Sequence, residues 1–85
     1  MQISKINFIQ RSANVWIAPT EVGNFVIEMN DLGQCALIRD KIKIDDNEVN
    51  SSIETIEVGL YADINTARKE AQKELLRVLE KLIRF

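Results

Sequence analysis

The longest uninterrupted helical pattern in the chain occupies residues 64–84, which contain neither glycine nor proline. Counted at 100° per residue, its apolar side chains keep to one stripe, which predicts an amphipathic helix. The stripe consists of Ile64, Ala67, Ala71, Leu75, Val78, Leu79 and Leu82. Asp63 directly precedes the pattern and is a good N-cap. A helix of this length spans about 30 Å and must cover its apolar stripe with another element.

Segments of alternating apolar and polar residues precede the helix and predict β-strands. Phe25, Ile27 and Met29 alternate with Val26 and Glu28, the period of a half-buried strand. Residues 30–33 (Asn-Asp-Leu-Gly) predict a hairpin turn, and residues 34–39 and 53–60 alternate in the same way. In residues 34–39, Cys35 and Leu37 are predicted on one face and Ala36 and Ile38 on the other. In residues 53–60, Ile56, Val58 and Leu60 are predicted to face inward.

The other segments allow a rougher prediction. Residues 13–18 favour a strand that closes at Pro19, and residues 19–23 favour a connection. Gly59 indicates a β-bulge in the last strand, and Ile42 and Ile44 extend the strand before it. The opening segment is either a further strand or a lead into the strand that contains Trp16. Residues 45–52 are polar and acidic, which predicts a poorly packed loop.

The length of the chain, 85 residues, favours a single domain over residues 1–85. The pattern of elements predicts an α+β fold: an antiparallel sheet of three to four strands packed against one long C-terminal α-helix. A chain this small has little apolar surface to spare for a deep, walled active-site cavity. Its size therefore favours a function in which the surface of this protein binds the surface of another molecule.

The single cysteine, Cys35, cannot form an internal disulfide, which indicates a reducing compartment. Cys35 lies within an apolar alternation, so we expect a small core residue rather than a reactive thiol. Trp16 is expected in the core or on the sheet face rather than as an interface anchor. No run of apolar residues is long enough to predict a signal peptide or a membrane span. We predict a cytoplasmic protein without membrane association.

The chain contains no histidine, which removes the commonest acid–base catalyst and most zinc sites. Gly23, Gly33 and Gly59 are scattered and form no phosphate-binding loop. The acidic residues of the 40–48 region could bind a hard cation but lack the spacing of a calcium-binding loop, so a solvated loop is the better interpretation. We therefore predict no enzymatic activity, no cofactor and no metal.

The second half of the helix is apolar over a wider arc than the first half. Leu76 and Ile83 occupy the flank where Arg68 and Gln72 lie in the first half. A small sheet cannot cover both the stripe and this flank, so we predict a protein interface, with a homodimer as the expected assembly. The predicted interface residues are Leu76, Leu79, Ile83 and Phe85. The alternative is that the N-terminal segment, with Ile3, Ile6, Phe8 and Ile9, folds back over the flank.

A row of basic residues follows the exposed side of the helix at intervals of four. This basic ridge consists of Lys69, Lys73, Arg77 and Lys81. Like charges at this spacing mildly destabilise a helix, so the ridge is a candidate for nucleic-acid contact as well as an ordinary solvated face. The net charge of −2 argues against the electrostatic footprint of a nucleic-acid binder. Nucleic-acid binding is therefore the alternative function.

One combination of segments carries a resemblance. Trp16 is followed by residues 23–28 (Gly-Asn-Phe-Val-Ile-Glu) and by residues 59–72, in which a glycine–aromatic–small turn leads into Asp63 and an alanine-containing helix. Over about residues 14–72 the chain resembles small β-meander-plus-C-terminal-helix proteins of phages and prophages, a group with no defined activity. The resemblance implies a fold and a source, with the host cytoplasm as location, and implies no catalytic residues. The acidic loop and the Leu/Ile-rich helix end depart from the pattern.

These observations together favour a small non-enzymatic protein-interaction module. With the resemblance, they suggest a phage-encoded inhibitor or modulator of a host protein, such as a defence protein. The sequence does not identify the partner.

Overall fold

The computed structural model describes residues 5–41 and 54–83, with side chains up to Lys81. Within these residues the chain forms a sheet of five strands followed by one helix. The elements in chain order are β1 Ile9–Ser12, β2 Val15–Thr20, β3 Gly23–Met29, β4 Cys35–Asp40, β5 Thr55–Tyr61 and α1 Ile64–Ile83. The predicted α+β class, an antiparallel sheet against one C-terminal helix, is confirmed. The sheet has five strands rather than three to four, because the opening segment forms β1.

The sheet is a simple meander, with the order β1-β2-β3-β4-β5 and every neighbouring pair antiparallel. The connection predicted at residues 19–23 is shorter than expected: Pro19 and Thr20 belong to β2, and Gly23 opens β3. Proline is tolerated there because the pairing of β1 with β2 ends at Ile17, so Pro19 lies beyond the reach of the β1 ladder.

The turn between β3 and β4 is built by Asn30, as the sequence predicts. Its side-chain Oδ1 accepts hydrogen bonds from the backbone N–H groups of Leu32 at 2.9 Å and Gln34 at 3.0 Å. Gly33 has a φ of 81°, a conformation that residues with a Cβ rarely adopt. This local network closes the hairpin without help from the rest of the molecule.

One face of the sheet, the inner face, packs against the helix. Phe25, Ile27, Cys35 and Leu37 are fully buried there, which confirms the alternation predicted for β3 and β4. The helix contributes a stripe with small residues at its N-terminal end, which allows close approach to the sheet. Its buried members are Ala67, Ala71, Leu75 and Val78, and Ile64 and Leu79 pack at the edge of this core.

A β-bulge in β5 changes which side chains point inward. Leu37 pairs with Gly59 and Ile38 pairs with Glu57, so Val58 is the extra residue. The bulge predicted at Gly59 is therefore present, but the inward orientation predicted for Leu60 is wrong, since Leu60 is 52% exposed. After the bulge the alternation shifts by one residue, and Tyr61 packs against the core in its place.

The helix begins where the sequence predicts. The Asp63 carboxylate accepts a 2.7 Å hydrogen bond from the backbone N–H of Thr66, the geometry of an N-cap. This bond lowers the pKa of Asp63 from its ordinary value. The predictions for Ile42, for Ile44 and for the acidic loop at residues 45–52 lie outside the described residues.

Candidate functional site

The face of the sheet opposite the helix, the outer face, carries a row of aliphatic side chains. In the observed register Ile9 lies beside Ile17, Ile17 beside Val26, and Val26 beside Ile38. Adjacent strands are about 4.8 Å apart, so this row crosses four strands and spans about 14 Å. Ile9 is 54% exposed and the other three are partly exposed. The outer face is therefore apolar at its centre.

A second row runs beside the first on the outer face. Val15 pairs with Glu28, Glu28 with Ala36, and Ala36 with Leu60. In the first row, Ile38 pairs with Glu57 of β5. Each row therefore contains one exposed glutamate, Glu57 in the first and Glu28 in the second. The surface combines contiguous apolar area with acidic groups, a composition typical of protein-binding surfaces rather than of nucleic-acid contacts.

The described part of the chain has no second layer over the outer face. The core cluster is formed by inner-face residues, by the helix, and by Ile6, Phe8 and Val22 from connecting segments. Contacts between the helix and the sheet involve β3, β4 and β5 from the inner side. The aliphatic rows thus lie on the surface of the described structure.

Of the residues predicted to form an interface at the helix end, one lies on the surface and another packs against the core. Leu76 is 45% exposed, whereas Leu79 packs against the core cluster of the same molecule. The side chain of Ile83 and all of Phe85 lie outside the described residues. Self-association through this end of the helix stays a prediction.

The N-terminal segment does pack against the helix. Ile6 is buried, at 7% exposure, and its backbone N–H donates to Gln72 Oε1 at 3.0 Å. Phe8 also packs against the core, while Ile9 lies on the outer face of the sheet. The segment therefore covers part of the helix flank near Gln72, on the side where the helix carries small residues.

The basic ridge is partly neutralised by carboxylates of its own helix. Lys73 Nζ lies 3.4 Å from Glu70 Oε1, and Arg77 Nε lies 2.7 Å from Glu74 Oε1. Lys69 and Lys81 have no ion pair within the described residues. Two of the four cations thus have carboxylate partners, which weakens the ridge as a continuous phosphate-binding surface.

An ion pair that the sequence analysis missed fixes the helix to the sheet. Glu74 lies on the buried stripe of the helix, at 7% exposure, and Arg39 on the inner face of β4, at 9%. Arg39 Nε donates to Glu74 Oε2 at 2.7 Å, and Arg77 donates to both carboxylate oxygens at 2.7 Å each. These hydrogen bonds, that of Arg77 first, hold the pKa of Glu74 below its ordinary value against the effect of burial.

A signal for this pair was present in the sequence. Arg39 follows Cys35 and Leu37 at intervals of two, which places it on the inner face. Glu74 comes seven positions after Ala67, which places it on the same side of the helix. Because Arg39 and Glu74 carry opposite charges and both face the core, their positions predict a buried ion pair.

Cys35 and Trp16 occupy structural positions. Cys35 is fully buried, as expected for a core residue, and burial, followed by the charge of Asp63, raises the pKa of its thiol. Trp16 is partly buried and packs against the core cluster from β2. Both side chains therefore contribute to packing, and neither position indicates a catalytic role.

Residues 5–41 and 54–83 contain no cluster of three or more potential metal ligands. In the same part of the chain, no helix has the length and apolar character needed to cross a membrane. Comparison with protein-family models, with curated proteins and with solved structures returns no match.

Proposed function

We propose that this protein is a non-enzymatic interaction module that binds a protein partner with the outer face of its sheet. The observation that carries the proposal is the row of Ile9, Ile17, Val26 and Ile38, which crosses four strands without a covering layer in the described structure. Contiguous aliphatic surface of this kind usually marks an interface, because burial of the exposed part of each side chain is favourable.

The charges on the outer face indicate the chemistry of the partner. Glu28 and Glu57 are exposed within or beside the aliphatic rows. A second copy of the same face would bring carboxylates close to carboxylates, which opposes self-association there. A partner with an apolar centre and lysine or arginine side chains around it complements both features. On the resemblance to phage and prophage proteins, we propose that this partner is a host protein whose activity the bound module inhibits or modulates in the bacterial cytoplasm.

The alternative, nucleic-acid binding through the basic ridge, has less support. Arg77 is fixed by Glu74, and Lys73 lies beside Glu70. A surface in which cations alternate with carboxylates retains little of the charge needed for phosphate contacts.

The proposal can be tested by partner capture with matched variants. The double variant Ile9→Lys plus Leu60→Lys changes two exposed side chains at opposite ends of the outer face. Leu32→Lys is the control, because Leu32 is 84% exposed but lies in the β3–β4 turn. We expect wild type and Leu32→Lys to capture the same protein from host extract, and the double variant to fold normally but lose it.

A charge reversal then tests the chemistry proposed for the partner. Glu28→Lys plus Glu57→Lys should slow association with the captured protein and remove the weakening by salt that complementary charges produce. Equal capture by the outer-face variant and by the Leu32 control would show that the outer face is not the binding surface.

A further inference from the structure

A cleft lies between the segment that precedes β1 and the first half of α1, on the helix side of the sheet. Its volume is about 740 Å³. The cleft is open to solvent and is not an enclosed cavity. The residues that line it are Lys5, Ile6, Asn65, Arg68, Lys69 and Gln72. We refer to it as the cationic cleft, since three of these side chains carry a positive charge.

The cationic cleft is built by a long-range backbone contact. Lys5 and Arg68 are far apart in the sequence, and they line the same cleft because Ile6 is buried in the core and its N–H donates to Gln72 Oε1 at 3.0 Å. This hydrogen bond joins residues separated by 66 positions. Lys5 is therefore carried by backbone that is anchored on both the core and the helix.

The charges of the cleft are less compensated by carboxylates than those of Lys73 and Arg77, although the hydrogen bond from Thr66 and then the charge of Lys69 lower the pKa of Asp63. Within the described residues, Lys5, Arg68 and Lys69 form no ion pair, in contrast to Lys73 and Arg77 on the same helix. Asp63, at the start of the helix, is engaged in capping through its 2.7 Å hydrogen bond from the Thr66 N–H. Lys5, Arg68 and Lys69 are exposed side chains that line one cleft, so an anion bound there would be attracted by all three.

We propose that the cationic cleft binds a small phosphate-bearing ligand. A phosphate group has several acceptor oxygens. These can accept hydrogen bonds from the ammonium groups of Lys5 and Lys69 and from the guanidinium group of Arg68. The side-chain amide of Asn65 lies in the same wall and provides a polar group for the rest of the ligand. The cleft has room for a ligand larger than a single phosphate group, such as an organic phosphate. This site is separate from the outer face of the sheet and does not depend on partner binding.

Pyrophosphate and inorganic phosphate are suitable probes, followed by NMR of the uniformly labelled protein. We expect saturable shifts in the backbone amides of residues 65–72 and in the side-chain amides of Asn65 and Gln72, with pyrophosphate binding more tightly than phosphate. The triple variant Lys5→Gln, Arg68→Gln, Lys69→Gln should fold normally, since all three residues are exposed, and should bind at least about tenfold more weakly. The matched control Lys73→Gln plus Lys81→Gln removes two charges from the same helix outside the cleft and should bind like the wild type.

A single-stranded oligonucleotide serves as the competing ligand. If the cleft is a small-ligand site, mononucleotides and oligonucleotides should bind with similar affinity, and the Lys73, Lys81 control should not alter either. Affinity that rises with strand length, with a steep salt dependence and a requirement for Lys73 and Lys81, would overturn the proposal in favour of nucleic-acid binding along the helix. Shifts that do not saturate, or that are equally weakened by the control variant, would show nonspecific charge attraction and would also overturn it.

Discussion

Glu74 is the residue whose environment departs most from what its chemical type suggests. It lies on the apolar stripe of α1 with 7% of its surface exposed, and it accepts hydrogen bonds from Arg39 and Arg77. Such a pair contributes less to net stability than its short distances suggest, because both charges lose hydration when they are buried. Loss of one partner has a larger effect than the pair itself, since it leaves the other charge buried.

Removal of the Glu74 carboxylate should destabilise the protein strongly. Glu74→Ala leaves the Arg39 guanidinium buried without its partner, and we expect a loss of about 3 kcal/mol in the free energy of unfolding. Replacement of both partners, as in Arg39→Met plus Glu74→Leu, should restore most of this stability because no charge is left buried. Urea unfolding measures both variants. A double variant as unstable as Glu74→Ala would contradict the ion-pair explanation.

The same carboxylate predicts a pH dependence. The pKa of Glu74 in the folded state lies below its ordinary value of 4.5, first because of the hydrogen bonds from Arg77 and then because of that from Arg39. A lowered folded pKa means that the contribution to stability is complete above about pH 4.5 and is lost as the pH falls through the folded pKa. Below pH 4.5 the free energy of unfolding should therefore decrease less steeply for Glu74→Gln than for the wild type. Parallel curves would show that another group dominates acid unfolding.

Cys35 should react slowly with thiol reagents in the native protein. Its side chain is fully buried, and burial raises the pKa of the thiol, so both access and thiolate formation are restricted. We expect labelling by a disulfide reagent to be limited by unfolding and to become rapid in denaturant. Fast labelling of the folded protein would indicate that the inner face of β4 opens locally.

At the scale of the element, the β5 bulge decides which surface each side chain joins. Because Val58 is the extra residue opposite Leu37 and Ile38, Val58 packs against the core and Leu60 lies on the outer face. In a regular strand all three of Ile56, Val58 and Leu60 would have pointed inward. The bulge thus transfers one large aliphatic side chain from the core to the proposed binding surface.

Matched truncations test this change of orientation. Val58→Ala should lower the free energy of unfolding by at least about 1 kcal/mol, because it removes contacts with the core. Leu60→Ala should change it by less than about 0.5 kcal/mol, although it removes more atoms, because surface substitutions are usually near neutral. Chemical denaturation distinguishes the two. A larger loss for Leu60→Ala would mean that Leu60 is covered in solution.

The elements show which parts of the fold the sequence could predict. The helix and the strands β3 and β4 were predictable because their periodic patterns agree with their local signals, Asp63 as a cap and Asn30 with Gly33 as a turn. The inward orientation of Leu60 could not be predicted correctly, since a bulge changes the alternation and a glycine indicates its presence but not its register. The aliphatic row on the outer face could not be predicted for a related reason. Which side chains lie beside one another on neighbouring strands depends on how the strands pair, and this register is not read from a single strand. The placement of Lys5 and Arg68 in one cleft depends on a long-range contact that no local pattern encodes.

At the scale of the whole molecule, the two layers leave two surfaces with different properties. The outer face of the sheet is aliphatic and acidic, and the helix side carries the cationic cleft and Leu76. The predicted interface at the helix end uses Leu76, which is 45% exposed, and is distinct from the outer face. Self-association through the helix and binding of a different partner through the sheet are therefore compatible.

A homodimer through the helix end should be sensitive to Leu76. We expect light scattering at micromolar concentration to give a dimer for the wild type and a folded monomer for Leu76→Glu plus Ile83→Glu. The outer-face variant Ile9→Lys plus Leu60→Lys is the control and should remain dimeric. A monomeric wild type whose Leu76→Glu, Ile83→Glu variant unfolds would show instead that the helix end is covered within one molecule.

The meander also sets an order of assembly. Each strand pairs with its neighbour in sequence, and residues 41–54 are the longest connection between paired strands. Chains with such local contacts fold fast. The segment at Lys5 and Ile6 docks through a contact 66 residues away and needs the finished helix. We expect it to join the structure last and to detach first, so the Ile6 amide should exchange its hydrogen faster than the amides of β3. During synthesis, strands β1 to β4 can pair before the helix exists, which means that a partner could engage the nascent sheet before the cationic cleft has formed.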